Sequence, residues 1–150
     1  MKEIAIELER LMDNYKPQLL AVPESALVNK PSPTKWSKKE IIGHLIDSAQ
    51  SNIRRFVVAQ YEETPFIVYN QDKWVTIVNY QEWKSKELID LWYLVNREIC
   101  MILSNTSAIA SQRTCQTQEL HTIEWLAVDY LKHLKHHMHV VLDLESVAYP

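Results

Sequence analysis

Four of the six histidines in this 150-residue chain fall within seven residues, HLKHHMH at 133–139. Imidazoles this close can capture a metal ion, titrate near neutral pH, or simply form the polar face of a helix. Helical geometry separates them. At about 100° per residue, His137 lies only about 40° around the axis from His133. Leu126, Tyr130, Leu134, Val141 and Leu144 fall on the same side, so these two histidines sit one turn apart in an apolar stripe. His136 falls on the flank with Asp129, and His139 among Lys132 and Lys135, where neither needs a special role. A pair at i, i+4 suits bidentate metal capture, but the same spacing describes two hydrogen-bonded core histidines.

A third imidazole, His44, stands in IIGHLIDSAQSNIRRF, where Ile42, Leu45, Ala49 and Phe56 make the apolar stripe. Ser48, Asn52 and Arg55 lie within about 80° of it on the helical wheel, a polar strip along one edge of that stripe. Unpaired buried polar groups cost about 1–3 kcal/mol each. The strip therefore marks either a site or a surface where these groups meet solvent or a second copy. Gly43, the chain's single glycine, costs a helix about 1 kcal/mol against alanine. It either permits close packing or makes room at a site.

The elements that must carry these residues are helical. A β-rich or nucleotide-binding fold needs several glycines for turns and close backbone approach, and one glycine rules out GxGxxG and GxxxxGK[ST] loops. The spacing of apolar residues predicts a first helix from about Ile4 to Leu20, bent or ended near Pro17. Ser37 and Glu40 form a capping box that starts a second helix running through Arg55 and stopping before Pro65. A third spans about Ser85 to Ser104, and Thr122 caps a fourth reaching roughly Leu144. PESALVNKPSPTKW and SNTSAIASQRTCQTQEL read as irregular connections, and the loop after the second helix as irregular with a short helical piece near Trp74. The fold class expected is all-α, a four-helix bundle in one domain over 1–150.

Composition narrows the partners. A net charge of −3 gives no basic footprint for nucleic acid, and no apolar run is long enough to span a membrane. The acid-interrupted N-terminus lacks a signal-peptide core, and Cys100 and Cys115 make neither a disulfide framework nor a CxxC motif. A cytoplasmic protein is expected, with both cysteines as packing residues.

KWSKKEIIGHLIDSAQSNIRRF, YNQDKWV and IEWLAVDYLKHLKHH, in that order from about Trp36 to His137, resemble the DinB/YfiT-like superfamily, and its YfiT-like branch in particular. The resemblance implies an up-down-down-up four-helix bundle. It also implies a divalent metal held by three histidines, at His44 from the second helix and at His133 and His137 from the last. The family is described as metal-dependent hydrolases, with some members thiol-dependent S-transferases or isomerases, and commonly as homodimers. This chain departs from the pattern in carrying Ser51 where asparagine is expected, with Asn52 one place on; Arg55 and Phe56 keep register.

Three neutral imidazoles would leave a coordination position open, as catalytic sites do. Zinc is the default ion, with nickel, iron or manganese possible on imidazole ligands. Such an ion activates water or binds a low-molecular-weight thiol as thiolate. Asp47, Asp129 or a backbone carbonyl would orient the second ring nitrogens, Asp47 as a flank residue rather than a ligand. Ser48, Asn52, Arg55 and Trp74 are candidate substrate or cofactor contacts, with Tyr69 and Asn70 as further pocket walls. Arg55 suits a carboxylate, or else a salt bridge to Glu62 or Glu63 at the bundle end. No glutamate stands beside the histidine pair as in HExxH, so thiol transfer to a small-molecule substrate fits slightly better than hydrolysis; a non-catalytic dimeric metal- or ligand-binding module is the alternative. Proton competition for the metal is expected near pH 6.

Overall fold

A computed structural model describes residues 1–149. Four long helices dominate it: α1 (Lys2–Ala21), α3 (Lys38–Val58), α5 (Ser85–Asn105) and α7 (Ile123–Val141). Short helices α2 (Glu24–Val28), α4 (Gln71–Val78) and α6 (Ala108–Ser111) lie in the connections, with a 3-10 turn at Tyr80–Glu82. Strands β1 (Thr114–Gln116) and β2 (Leu120–Thr122) pair antiparallel.

The direction of each helix follows from its side-chain partners. Glu9 pairs with Arg97, Asp13 accepts from Tyr93, and Asp90 pairs with Lys16, so α1 and α5 run antiparallel. Glu7 meets Lys135 and Tyr15 meets His139, which makes α1 and α7 parallel. Lys38 reaches Asp143, just past α7, and His44 meets His133, so α3 and α7 are antiparallel. Gln60 and Thr106, just beyond α3 and α5, bond each other at the same end of a parallel pair. The result is an up-down-down-up four-helix bundle, with neighbours in the order α1, α5, α3, α7. Tyr130 of α7 donates to Asn96 of α5 across the buried centre.

The caps are the expected ones. Ser37 accepts from the Glu40 amide at 3.1 Å while the Glu40 carboxylate accepts from Ser37 N, and Thr122 accepts from Trp125 N. Apolar residues such as Leu8, Met12, Leu45, Phe56, Trp92, Leu134 and Val141 face a common core.

Several connections differ from the sequence reading. The first helix is not ended by Pro17: it runs to Ala21, close to the expected Leu20. The segment after it contains α2, whose Leu27 is buried in the core. The polar stretch before α7 holds α6 and the β1–β2 hairpin, which no long alternating pattern announces. That hairpin staples the loop after α3: Ile67 N donates to Gln116 O, and Gln116 N to Pro65 O. The last helix stops at Val141, three residues short of Leu144. Asp143 turns left-handed at φ 53°, and Leu144 N reaches back to His139 O, a Schellman closure without glycine.

Candidate metal centre

Because α3 and α7 are antiparallel, the early turns of one face the late turns of the other. His44 therefore meets His133 and His137. Their ligating atoms all lie within 4.8 Å of one another. The Nε2 atoms of His44 and His133 are 3.1 Å apart, and the three rings are mutually near-perpendicular, with centroids 4.5–5.0 Å apart. His44 is 1% exposed, while the other two are half-buried. Trp36 covers His44 from one side, its ring centroid 5.0 Å away.

Burial, with the neighbouring imidazoles as a lesser cause, depresses all three histidines: His44 to about 3, His133 to about 2 and His137 to about 4. All three are thus neutral at pH 7 and keep a lone pair for a cation. At most one N–H···N bond can join His44 to His133, and His44 Nδ1 is buried without a partner among the described residues. Three converging neutral nitrogens, one of them from a ring with an orphaned second nitrogen, are a donor set that fits a divalent transition metal.

The surroundings only partly follow the sequence expectations. Asp47 is not a flank residue: it is 1% exposed and accepts a hydrogen bond from the Tyr80 hydroxyl. Burial raises its carboxyl to about 6, although that hydrogen bond acts in the opposite sense. Asp129 accepts from Tyr149 at 3.0 and 3.1 Å. No hydrogen bond joins either carboxylate to a histidine among the described residues, and Asp47 Oδ2 is itself without a partner there. Gly43 exists for packing: an added Cβ would stand 2.1 Å from the Tyr80 ring. Tyr80 can lie flat on α3 beside the histidine only because no side chain is there.

Ser48, Asn52 and Arg55 come together as predicted, along one wall of a cavity of about 130 Å3 that reaches His133. Tyr69, Asp129, Tyr130 and Tyr149 close it. Asn52 donates to Ser48 O at 2.9 Å, which turns its Oδ1 toward Arg55. Arg55 makes no salt bridge to Glu62 or Glu63; its Nε donates to Ile67 O and its Nη1 to Asn52 Oδ1. Outside this cavity a groove of about 750 Å3 shares Arg55, Tyr69, Asp129 and Tyr149 as walls and adds Asn70, His121 and Trp125. Trp74 lines neither space; its ring packs 5.3 Å from that of Tyr69 and backs it instead.

Tyr149, Asp129 as a cavity wall, and His121 stacked on Trp125 at 3.6 Å were not legible in the sequence as site residues. Tyr149 arrives because the tail folds back over α7. His136 donates to Val147 O and His139 to Glu145 O, so these two histidines do have a role, as anchors for the tail. Tyr149 then lies 5.3 Å from His133, ring to ring. Both cysteines are free and buried, and burial raises their thiols. They are packing residues.

Two solved folds are close to this one. The chain superposes on YfiT from Bacillus subtilis, described as a probable metal-dependent hydrolase with an unusual four-helix bundle topology. The TM-score is 0.84 at 20% identity, over 94% of this chain and 83% of that one. A mycothiol-dependent maleylpyruvate isomerase superposes with TM-scores of 0.75 and 0.70 in two crystal structures, the first of a histidine-to-alanine mutant, at 19% identity. It is covered over 62% of its own length, against 99% of this chain. At these identities the likeness establishes the fold alone. No curated protein matches the sequence. Residues 7–141 match the DinB superfamily, nearly the whole of the bundle, and the chain belongs to that family.

Proposed function

We propose that this chain is a metal-dependent enzyme that uses a low-molecular-weight thiol to transform a small-molecule substrate, with His44, His133 and His137 holding one divalent ion, zinc by default. The observation that carries the reading is that the two spaces adjoin at the histidines. The groove of about 750 Å3 and the cavity of about 130 Å3 share Arg55, Tyr69, Asp129 and Tyr149 as walls, and His133 lines the cavity. A long thiol can lie in such a groove with its sulfur at the histidines. When bound, the ion supplies Lewis acidity, which favours the deprotonated form of a thiol or water at neutral pH.

The chain's own residues do the rest. The three imidazoles, neutral at pH 7, present lone pairs in a fixed triangle. Asn52 and the Ile67 carbonyl hold the Arg55 guanidinium at the cavity wall. Tyr149 and Tyr69 line both the groove and the cavity. The likeness to a mycothiol-dependent isomerase supports thiol chemistry.

One observation favours hydrolysis as a second reading. The carboxylate missing beside the histidine pair in sequence is present in space, since Asp129, one turn before His133, borders the small cavity. Its oxygens could accept a proton from an attacking water, and the likeness to YfiT supports this.

The test is elemental analysis of tag-free protein beside His44→Ala and His137→Ala. One ion per chain, lost in both variants, is the expected result; no ion after reconstitution at neutral pH would overturn the metal reading. Turnover of electrophilic substrates only when a thiol is added would then favour transfer, and thiol-independent turnover hydrolysis.

A further inference from the structure

We propose that Arg55 is the binding site for a carboxylate, and that the thiol or substrate is a monoanion whose carboxylate sits in the small cavity while its reacting end faces the histidines. This deepens the functional reading above and rests on it for the position of the reacting end.

The argument begins with unmet hydrogen bonds. A guanidinium carries five N–H donors. Nε–H goes to Ile67 O at 3.2 Å and one Nη1–H to Asn52 Oδ1 at 3.3 Å, which leaves three without a partner among the described residues. Other shielded cations here have carboxylate partners: Lys39 with Glu24 and Lys135 with Glu7. Arg113 is committed to the carbonyls of Ala59 and Glu62. Arg55 has no ion pair among the described residues, although it borders both the cavity and the groove.

The cation is also preorganised. Asn52 is locked by its own bond to Ser48 O, and Ile67 is stapled to Gln116 of the hairpin. A ligand would not have to freeze the side chain, and fixed donors of this kind bind anions more tightly than mobile ones.

Charge and size select the anion. Asp129 borders the same cavity, its carboxylate engaged by the Tyr149 hydroxyl. Apart from an ion on the histidines, Arg55 is the one cation among the described residues lining the cavity, and a phosphate dianion there would set twice the charge of a carboxylate against Asp129. A carboxylate matches the fork of one arginine with a single charge. At about 30 Å3 per water, 130 Å3 holds roughly four waters, enough for a carboxylate and one or two carbons. The rest of a larger molecule would lie in the groove.

The experiment uses the full chain loaded with cobalt, titrated with mercaptoacetate, 3-mercaptopropionate and the uncharged 2-mercaptoethanol, and follows sulfur-to-cobalt absorption. At least one carboxylate thiol should bind tenfold or more tightly than 2-mercaptoethanol. Arg55→Lys should retain part of that advantage, and Arg55→Gln should reduce it to within twofold. Equal affinities in the parent protein, a comparison that needs no variant to fold, would overturn the proposal, as would an advantage that survives Arg55→Gln. If no thiol gives a cobalt band, the metal reading fails instead. Propionate against propionamide, followed at the arginine Nε–H signals by NMR, then decides the carboxylate site alone: a saturable shift with propionate only supports it, and no shift overturns it.

Discussion

Acidification of the metal-free protein is the perturbation whose effect the site fixes most directly. Each imidazole of the triangle has a folded pKa of about 2 to 4 against an ordinary value of 6.5. Between those limits the unfolded chain binds protons that the folded chain refuses. Stability from this source is intact above pH 6.5 and is lost as pH falls toward 4, the highest of the three folded values. Asp47 acts in the opposite sense. Raised from 3.8 to about 6, it holds a proton in the folded state and lends stability as pH falls through 6. Three protons taken up on unfolding against one released leave about two at pH 5, a slope of about 2.7 kcal/mol per pH unit. From pH 7 to 5 the loss comes to about 4 kcal/mol, or about 3 once solvent screening of the partly exposed His133 and His137 is allowed for. That is a large share of the 5–15 kcal/mol typical of a domain. Urea unfolding at half-unit pH steps reads it directly, and His133→Gln should lower the slope by about 1.4 kcal/mol per unit. Midpoints that stay level or rise between pH 7 and 5 would refute the buried, neutral triangle. The same reasoning revises the sequence expectation of metal loss near pH 6. That competition acts on the unfolded chain; inside the folded protein it begins nearer pH 4.

Gly43→Ala should cost about 2–4 kcal/mol, because its Cβ drives the buried Tyr80 ring off α3 and breaks the hydroxyl's bond to Asp47. Thermal denaturation checks this, and an unchanged midpoint would mean that Tyr80 packs elsewhere. His136→Ala combined with His139→Ala should leave metal content at one ion per chain but speed proteolytic clipping after residue 142, since both side chains anchor the tail. Metal loss equal to that in His137→Ala would show the helical assignment of the four histidines to be wrong.

The helical wheel separated His133 and His137 from their two neighbours because a helix has one period and burial obeys it. The same period, with the caps at Ser37 and Thr122, made all four long helices legible. Tyr69 and Asn70 were expected as pocket walls; what the period left out is how the chain outside the long helices reaches the site, and the omissions share a cause. A chain with one glycine suggests helices, but it also hides its left-handed turns. Among the described residues three non-glycine residues adopt positive φ: Thr64 at 47°, Asn79 at 53° and Asp143 at 53°. Two deliver walls of the site and one, Asn79, a packing partner of α3. Thr64 turns the chain into the loop that brings Ile67 to Arg55 and Tyr69 to the cavity, held by its hydroxyl against Thr114 at 2.9 Å. Asn79 places Tyr80 on Gly43, and Asp143 sends the tail back to set Tyr149 beside Asp129. Asparagine and aspartate tolerate this backbone at small cost, whereas a β-branched threonine does so only when long-range contacts hold it. Such contacts have no local signature, so the two helices that carry the histidines could be read from sequence, and Tyr69 and Asn70 named as walls, while the path of the loops and of the tail could not.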